Sequence, residues 1–296
     1  MIWVDLSGIL GRLRLTDRDR LDLLHRLSTN DLSRLQVGQG CSTVLTTPIA
    51  RIIDLLVVLN QGDSVWVIAN RTPVVENWLR RNIFWNDRLK VENQSDQLQH
   101  IGVWGVGDDL GIPADLPLYH TFTSDDGALM VRVPADGYWL IGEPSVIARW
   151  IDRLESQGAQ AGTLDDVERL RIEAGLPAAG HELTEDYIPL ELGLWDAVSF
   201  SKGCYTGQEI IARMESRGQL AKMMVKVSLE NTTPAGTTLS TTEGKTAGTL
   251  TSVATQPDGQ IIGLAVVKAA IAESGQPLLT DQAAPVQIVG LAGQYQ

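Results

Sequence analysis

Only two cysteines, Cys41 and Cys204, occur in the 296 residues, and there is no Cys-x-x-Cys. That is too few for a disulfide framework. The four histidines, His25, His100, His120 and His181, lie far apart with no partner at ligand spacing. A protein-built metal or cluster site is therefore not expected. Basic residues are in deficit as well, 24 against 36 acids, for a formal charge of −12. Extended contact with a phosphate backbone needs a basic surface, so direct nucleic-acid binding is not expected. The arginines that do gather, Arg12 to Arg26 and Arg80 to Arg88, are interleaved with acids and read as solvated faces. No apolar run approaches the ~20 residues of a membrane helix. The opening Met1-Ile2-Trp3-Val4-Asp5 lacks the basic and apolar regions of a signal peptide. These absences set the expectation of a cytoplasmic chain with no membrane partner.

What is present is the composition of a folded protein, 44% hydrophobic and 20% charged, with enough length for more than one structural unit. Leu13 to Leu15 reads as a short strand, and Thr16-Asp17-Arg18-Asp19 has the form of a capping box opening a helix with a Leu21, Leu24, Leu27 stripe. Ile52 to Leu59 is nearly all apolar, Asn60-Gln61-Gly62-Asp63 turns it into Ser64 to Ile68, and Thr72-Pro73 starts a helix. A similar passage follows: strand-like pieces near 97–104, 118–123, 128–133 and 137–142, then a helix opened by Pro144 and ending by Gly158. The order of β-rich run and then helix thus appears twice, which implies two α+β subdomains of related design. Another helix opens near Thr163 with Asp165 and Asp166 in its first turn. Beyond Arg217-Gly218 come Thr- and Val-rich strands with no helical stripe, the pattern of a small antiparallel β-barrel or sandwich. The expected division is 1–217 and 218–296.

The most informative stretch is Ser199 to Glu209. It places a thiol, an ammonium, a phenol, an amide and a carboxylate within eight residues, spaced by Gly203 and Gly207. Gly207 reads as the turn before a helix N-terminus, where free N–H groups face an anion or acceptor. Those groups, with Lys202 two residues upstream, would favour the thiolate of Cys204. On residue chemistry alone a tight turn with Cys204 packed as a small apolar residue remains open.

Lys202-Gly203-Cys204-Tyr205-Thr206-Gly207-Gln208-Glu209 resembles the hallmark octapeptide of the YgfZ-type folate-binding proteins. These are relatives of the glycine-cleavage T-protein (aminomethyltransferase) that assist iron–sulfur enzymes. Leu13 to Asp19 with Leu24 to Leu32 resembles the opening of T-protein-type folate proteins, and Arg171 to Pro177 with Ile188 to Glu191 resembles their central folate-pocket segment. With the β-rich tail, the likeness covers essentially the whole chain. It implies a T-protein-like module of two α+β subdomains over 1–217 plus a C-terminal antiparallel β-barrel over 218–296, enclosing a pocket for tetrahydrofolate or a folate derivative. It further implies iron–sulfur client or carrier proteins as partners, tRNA-modifying enzymes among them.

Several residues acquire candidate roles through this resemblance. Asp54 interrupts the apolar run, where a carboxylate is costly unless hydrogen-bonded, and it is similar to the aspartate that faces folate in T-proteins. Desolvation would raise its pKa and suit a general base; the alternative is a strand Asp satisfied by backbone amides. The sequence departs from T-proteins at Ala50-Arg51, where glycine is usual, and at Leu55, where a second acid is common. Glu173 and Glu191 are candidates for the donor edge of a pterin, since a carboxylate accepts two such bonds side by side. For Glu173 the competing reading is an exposed pair with Arg169. Asn30 and Tyr205 are candidate lining groups, and Cys204, Asp54 and Lys202 candidate catalytic ones. Two functions follow: a folate-binding accessory factor for assembly or repair of iron–sulfur enzymes, or a tetrahydrofolate-dependent aminomethyl transferase. An interaction scaffold with a vestigial pocket is a third.

Overall fold

The structure, a computed structural model, describes residues 1–106, 111, 113 and 115–293. The chain forms two compact units: Met1–Leu45, Ile53–Leu164 and Ser201–Thr206 in one, and Thr46–Ile52, Asp165–Phe200 and Gly207–Gln296 in the other.

The first unit holds two sheets. One has the strand order Gly40–Thr46, Ile52–Asn60, Ser64–Ala69, Gly11–Thr16, Lys90–Asn93. The other runs Thr121–Thr123, Leu129–Val133, Gly137–Gly142, Gln99–Trp104, Ile2–Asp5, Gln160–Ala161. The order repeats: in each sheet the second, third and fourth strands of a passage lie side by side and its first strand closes against the fourth. In the second sheet Ile2–Asp5 takes the place that Lys90–Asn93 has in the first, so the two passages share a design.

Layering explains the composition of the strands. On one face of the first sheet Leu13, Leu15, Leu56, Val58, Val65 and Val67 pack on Leu23 and Leu24 of helix Arg20–Leu27 and on Val75 and Leu79 of helix Thr72–Arg81. On its other face Val57, Leu59 and Ile68 meet Val131, Val133 and Ile141 of the second sheet. The second sheet then covers Ile147, Trp150 and Leu154 of helix Pro144–Ser156. Ile52–Asn60 is therefore buried on both sides, which is why its sequence runs apolar instead of alternating.

In the second unit, Lys222–Leu229, Ile261–Lys268, Thr246–Thr255, Thr238–Thr241, Leu278–Leu279 and Pro285–Leu291 close into an antiparallel barrel filled by Val225, Val227, Leu250, Val267 and Val286. Helices Leu164–Glu173 and Gln208–Arg217 and the 3-10 turns Pro189–Leu192 and Trp195–Ala197 complete the unit.

One local expectation is corrected, and the tail holds one element beyond its strands. The first helix begins at Arg20, not after a Thr16 cap: Asp17 takes φ 76°, which breaks the chain's path, and the Asp19 carboxylate is spent on the Arg88 N–H at 2.8 Å. The tail also contains a helix, Ala269–Ser274, too short to carry a stripe.

Candidate functional site

In the first unit, the segment 201–206 is pinned by Lys202. Its side chain is buried, and its ammonium donates to the carbonyl oxygens of Ser28 (2.7 Å), Asn30 (2.9 Å) and His25. Three acceptors and no carboxylate match the three N–H donors of an ammonium. Burial pulls the Lys202 pKa down to about 8, with Asp31 and Cys41 opposing the shift; the three carbonyls can only accept, so they too favour the charged form. The ammonium also lies 5.2 Å from the centre of the Tyr205 ring, a cation–π contact. Tyr205 is itself buried, which pushes its hydroxyl up to about 12.

Asn30 is held at both ends of its amide. Its Nδ2 donates to Ser42 O at 2.8 Å, its Oδ1 accepts from Asp31 N–H at 2.9 Å, and its backbone N–H reaches Thr43 Oγ1 at 2.9 Å. Lys202, Asn30 and Tyr205 are thus brought together as a rigid platform. Cys204 stands exposed on that platform. Burial pushes the Cys41 thiol up to about 12, with the Lys202 charge pulling the other way.

Asp54 forms a separate centre. It is fully buried, and its Oδ2 accepts the backbone N–H groups of Asn70 (3.0 Å) and Arg71 (2.9 Å), the residues leading into helix Thr72–Arg81. Its Oδ1 accepts Asn70 Nδ2 at 3.1 Å, and the neighbouring Leu55 N–H also favours the charged form. Three of the about four acceptor positions of a carboxylate are thus engaged by hydrogen bonds. Burial raises the Asp54 pKa against these bonds. The geometry is that of a helix cap supplied from a neighbouring strand.

In the second unit, Glu191 is buried in Pro189–Leu192, and its Oε2 accepts the Ile188 N–H at 3.2 Å. Burial raises its pKa, with the Ile188 bond, Lys222 and Arg51 pulling the other way. Beside it Tyr187 has its hydroxyl pushed up to about 12, chiefly by burial, and the Lys222 ammonium sits 5.1 Å from that ring. Tyr187 and Lys222 were not marked by any sequence signal, and Arg51 only as a departure from the T-protein pattern. Their gathering depends on Ile52 N–H bonding Tyr187 O (3.1 Å) and Arg51 Nη1 bonding Asp186 O (2.7 Å), 135 residues apart in the chain.

Glu173 lies on the partly exposed side of its helix, paired with Arg169 at 3.1 Å and accepting from Gln256 Nε2 at 3.2 Å. The buried network is its neighbour's. Arg171 donates to Glu182 Oε2 (3.2 Å) and Ser252 Oγ (2.6 Å), and that hydroxyl donates to Glu182 Oε1 (2.6 Å). It ties residues 171–182 to the barrel strand Thr246–Thr255. Among the described residues no group of three or more His, Cys, Asp or Glu side chains is placed to hold a metal ion, and no helix is long and apolar enough to cross a membrane.

The described residues thus carry one exposed thiol, Cys204, and three separately placed buried carboxylates, Asp54, Glu182 and Glu191. The chain superposes on the glycine cleavage system aminomethyltransferase T of Bartonella henselae with a TM-score of 0.83 over 97% of this chain and 84% of that one, at 19% identity. By sequence it is 29% identical to the chloroplastic transferase candidate At1g60990 of Arabidopsis thaliana, over 95% of this chain and 68% of that protein. It is 24% identical to the aminomethyltransferase of Bacillus subtilis, over 90% of this chain and 79% of that enzyme. No protein-family model matches the chain.

Proposed function

We propose that this protein binds tetrahydrofolate or a derivative and acts as an accessory factor for iron–sulfur enzymes, with residues 1–217 as the folate-binding module and 218–296 as a barrel domain. The observation that carries the reading is Cys204: an exposed thiol in the octapeptide, on a loop that a buried lysine fixes to three carbonyls. A packed turn cysteine would not need such an anchor. The aminomethyltransferase-like fold and relatives support folate as the ligand. Glu191, buried and with a raised pKa, is the pterin acceptor of this reading. Asn30, Lys202 and Tyr205 act as positioning residues, and Asp54 and Glu173, whose carboxylates are bonded to neighbouring protein groups, support the scaffold.

Aminomethyl transfer is the second reading, favoured by similarity to aminomethyltransferases over 90% of the chain. It requires a free base, and the Asp54 carboxylate is engaged by three hydrogen bonds from Asn70 and Arg71. A glycine-cleavage assay with lipoylated carrier protein separates the two. Methylenetetrahydrofolate formed at the rate of a dedicated enzyme would replace the first reading by the second. Iron–sulfur enzyme activity that falls in a deletion strain, and is restored by the wild type but not by Cys204→Ala, is the result expected of an accessory factor.

A further inference from the structure

The turn after helix Thr72–Arg81 presents two aromatic rings to water. Trp85 is 97% exposed and Phe84 59%. Leaving both outside forfeits apolar burial, and a loose loop would let them fold back. This turn is not loose. Asp87 Oδ2 accepts the Phe84 N–H (2.7 Å) and Arg26 Nη2 (2.9 Å), and the Asp87 N–H returns to Phe84 O (3.0 Å). The Arg26 guanidinium lies 4.8 Å from the Phe84 ring centre. Arg88 is clamped through its backbone, N–H to Asp19 Oδ2 (2.8 Å) and O from Asp19 N–H (3.0 Å), while Ile83 and Leu89 on either side pack on the core. The rings are therefore held out by a pre-ordered frame.

Charge around the tip is the reverse of the chain's. Residues 80–90 carry Arg80, Arg81, Arg88 and Lys90 against one acid, Asp87, in a protein of net charge −12. Asp87 is spent inside the turn, so it does not neutralise this rim. Among the described residues Arg81, Arg88 and Lys90 make no salt bridge. These basic residues are exposed, as expected of a solvated face, with Arg80 paired to Glu76. An exposed Trp on a hydrogen-bonded turn with flanking Arg is the composition of interface anchors, because little backbone ordering is lost on binding.

We propose that the turn 83–88 is the anchor of a protein–protein interface, with Trp85 inserting into an apolar recess of a partner whose surrounding surface is acidic. The net charge selects this partner class. A nucleic acid or an anionic bilayer extends its charge beyond the patch and meets repulsion from the rest of the surface, whereas a protein can confine its acids to the matching area. This proposal does not depend on the folate reading.

A random dodecapeptide library displayed on phage is panned against the full-length protein, with Trp85→Ala as counter-selection. The expected outcome is peptides that pair acids with an apolar residue. Their synthetic forms should bind Trp85→Ala and Arg81→Glu at least about tenfold more weakly than wild type and lose affinity with salt. Unchanged melting temperatures, expected for side chains so exposed, and a parallel loss in Phe84→Ala secure the comparison. Absence of enrichment, or equal binding to both proteins, overturns the proposal. Trp85-dependent binding of polyuridylate or phosphatidylglycerol vesicles without peptide selection, or a wild-type dimer lost in Trp85→Ala, overturns it in favour of a different occupant.

Discussion

Replacing Asp54 by Asn tests what that buried carboxylate is for. On sequence alone the change removes a charge from an apolar strand and should be nearly neutral for stability or even raise it. The geometry reverses the expectation. Every neighbour of the carboxylate is a donor: Asn70 N–H, Arg71 N–H, Asn70 Nδ2 and Leu55 N–H. An Asn side chain keeps one oxygen but turns an NH2 toward donors on its other side. Asn70 cannot flip to compensate, because its Nδ2 also donates to Leu55 O at 2.8 Å. Two buried donors lose their acceptor at about 1–3 kcal/mol each, and the helix start loses a negative charge worth about 0.3–1 kcal/mol. Relief of desolvation, the main cause of the raised pKa, offsets part of this. The net destabilisation should be about 2–4 kcal/mol. Urea unfolding at neutral pH gives the total, and hydrogen exchange at the Asn70 and Arg71 amides should show local loss of protection. A variant as stable as wild type with both amides still protected would refute the capping role.

Three further outcomes are expected. Gly207 takes φ 85°, and a Cβ there would lie 2.8 Å from Thr47 O and 2.9 Å from Ala50 Cα, so Gly207→Ala should cost at least about 2 kcal/mol in thermal unfolding; an unshifted melting temperature would contradict this packing. His100 is fully buried, edge-on to Trp139 at 5.0 Å, with both ring nitrogens unpartnered, and burial followed by Arg12 holds its pKa well below the usual value. Below pH ~6.5 the unfolded chain binds a proton there and the folded one does not, so stability falls with pH by about 1.4 kcal/mol per unit from this group; His100→Phe should lose that part of the acid slope, and an unchanged slope would show the ring titrating when folded. Iodoacetamide should label exposed Cys204 well before Cys41, whose buried thiol is pushed up to about 12; earlier labelling of Cys41 would remove the functional weight from Cys204.

What the sequence made legible followed local pattern. The doubled α+β passage, a barrel or sandwich in the tail and the helix after Gly207 were readable from periodicity and turn residues, and the family likeness singled out the barrel. The roles of individual polar side chains were not, because their partners lie far along the chain. Lys202 reads as a neighbour of Cys204, yet its ammonium is spent on carbonyls some 170 residues earlier, such as Asn30 at a separation of 172. Glu173 stands out within Arg171 to Pro177 as the carboxylate of that segment, while the buried network belongs to Arg171, through Ser252 at a separation of 81. The false cap at Thr16 has a local cause: Thr-x-x-Asp also fits a turn when the second residue adopts positive φ, as Asp17 does.

Folate binding is tested most directly by anaerobic calorimetric titration of the full-length protein with tetrahydrofolate, in parallel with Glu191→Gln. Saturable one-site binding to the wild type, weakened at least about tenfold in the variant, is the expected result. Heats no larger than dilution for the wild type would contradict folate binding, and equal affinity in both proteins would remove Glu191 from the pterin contact.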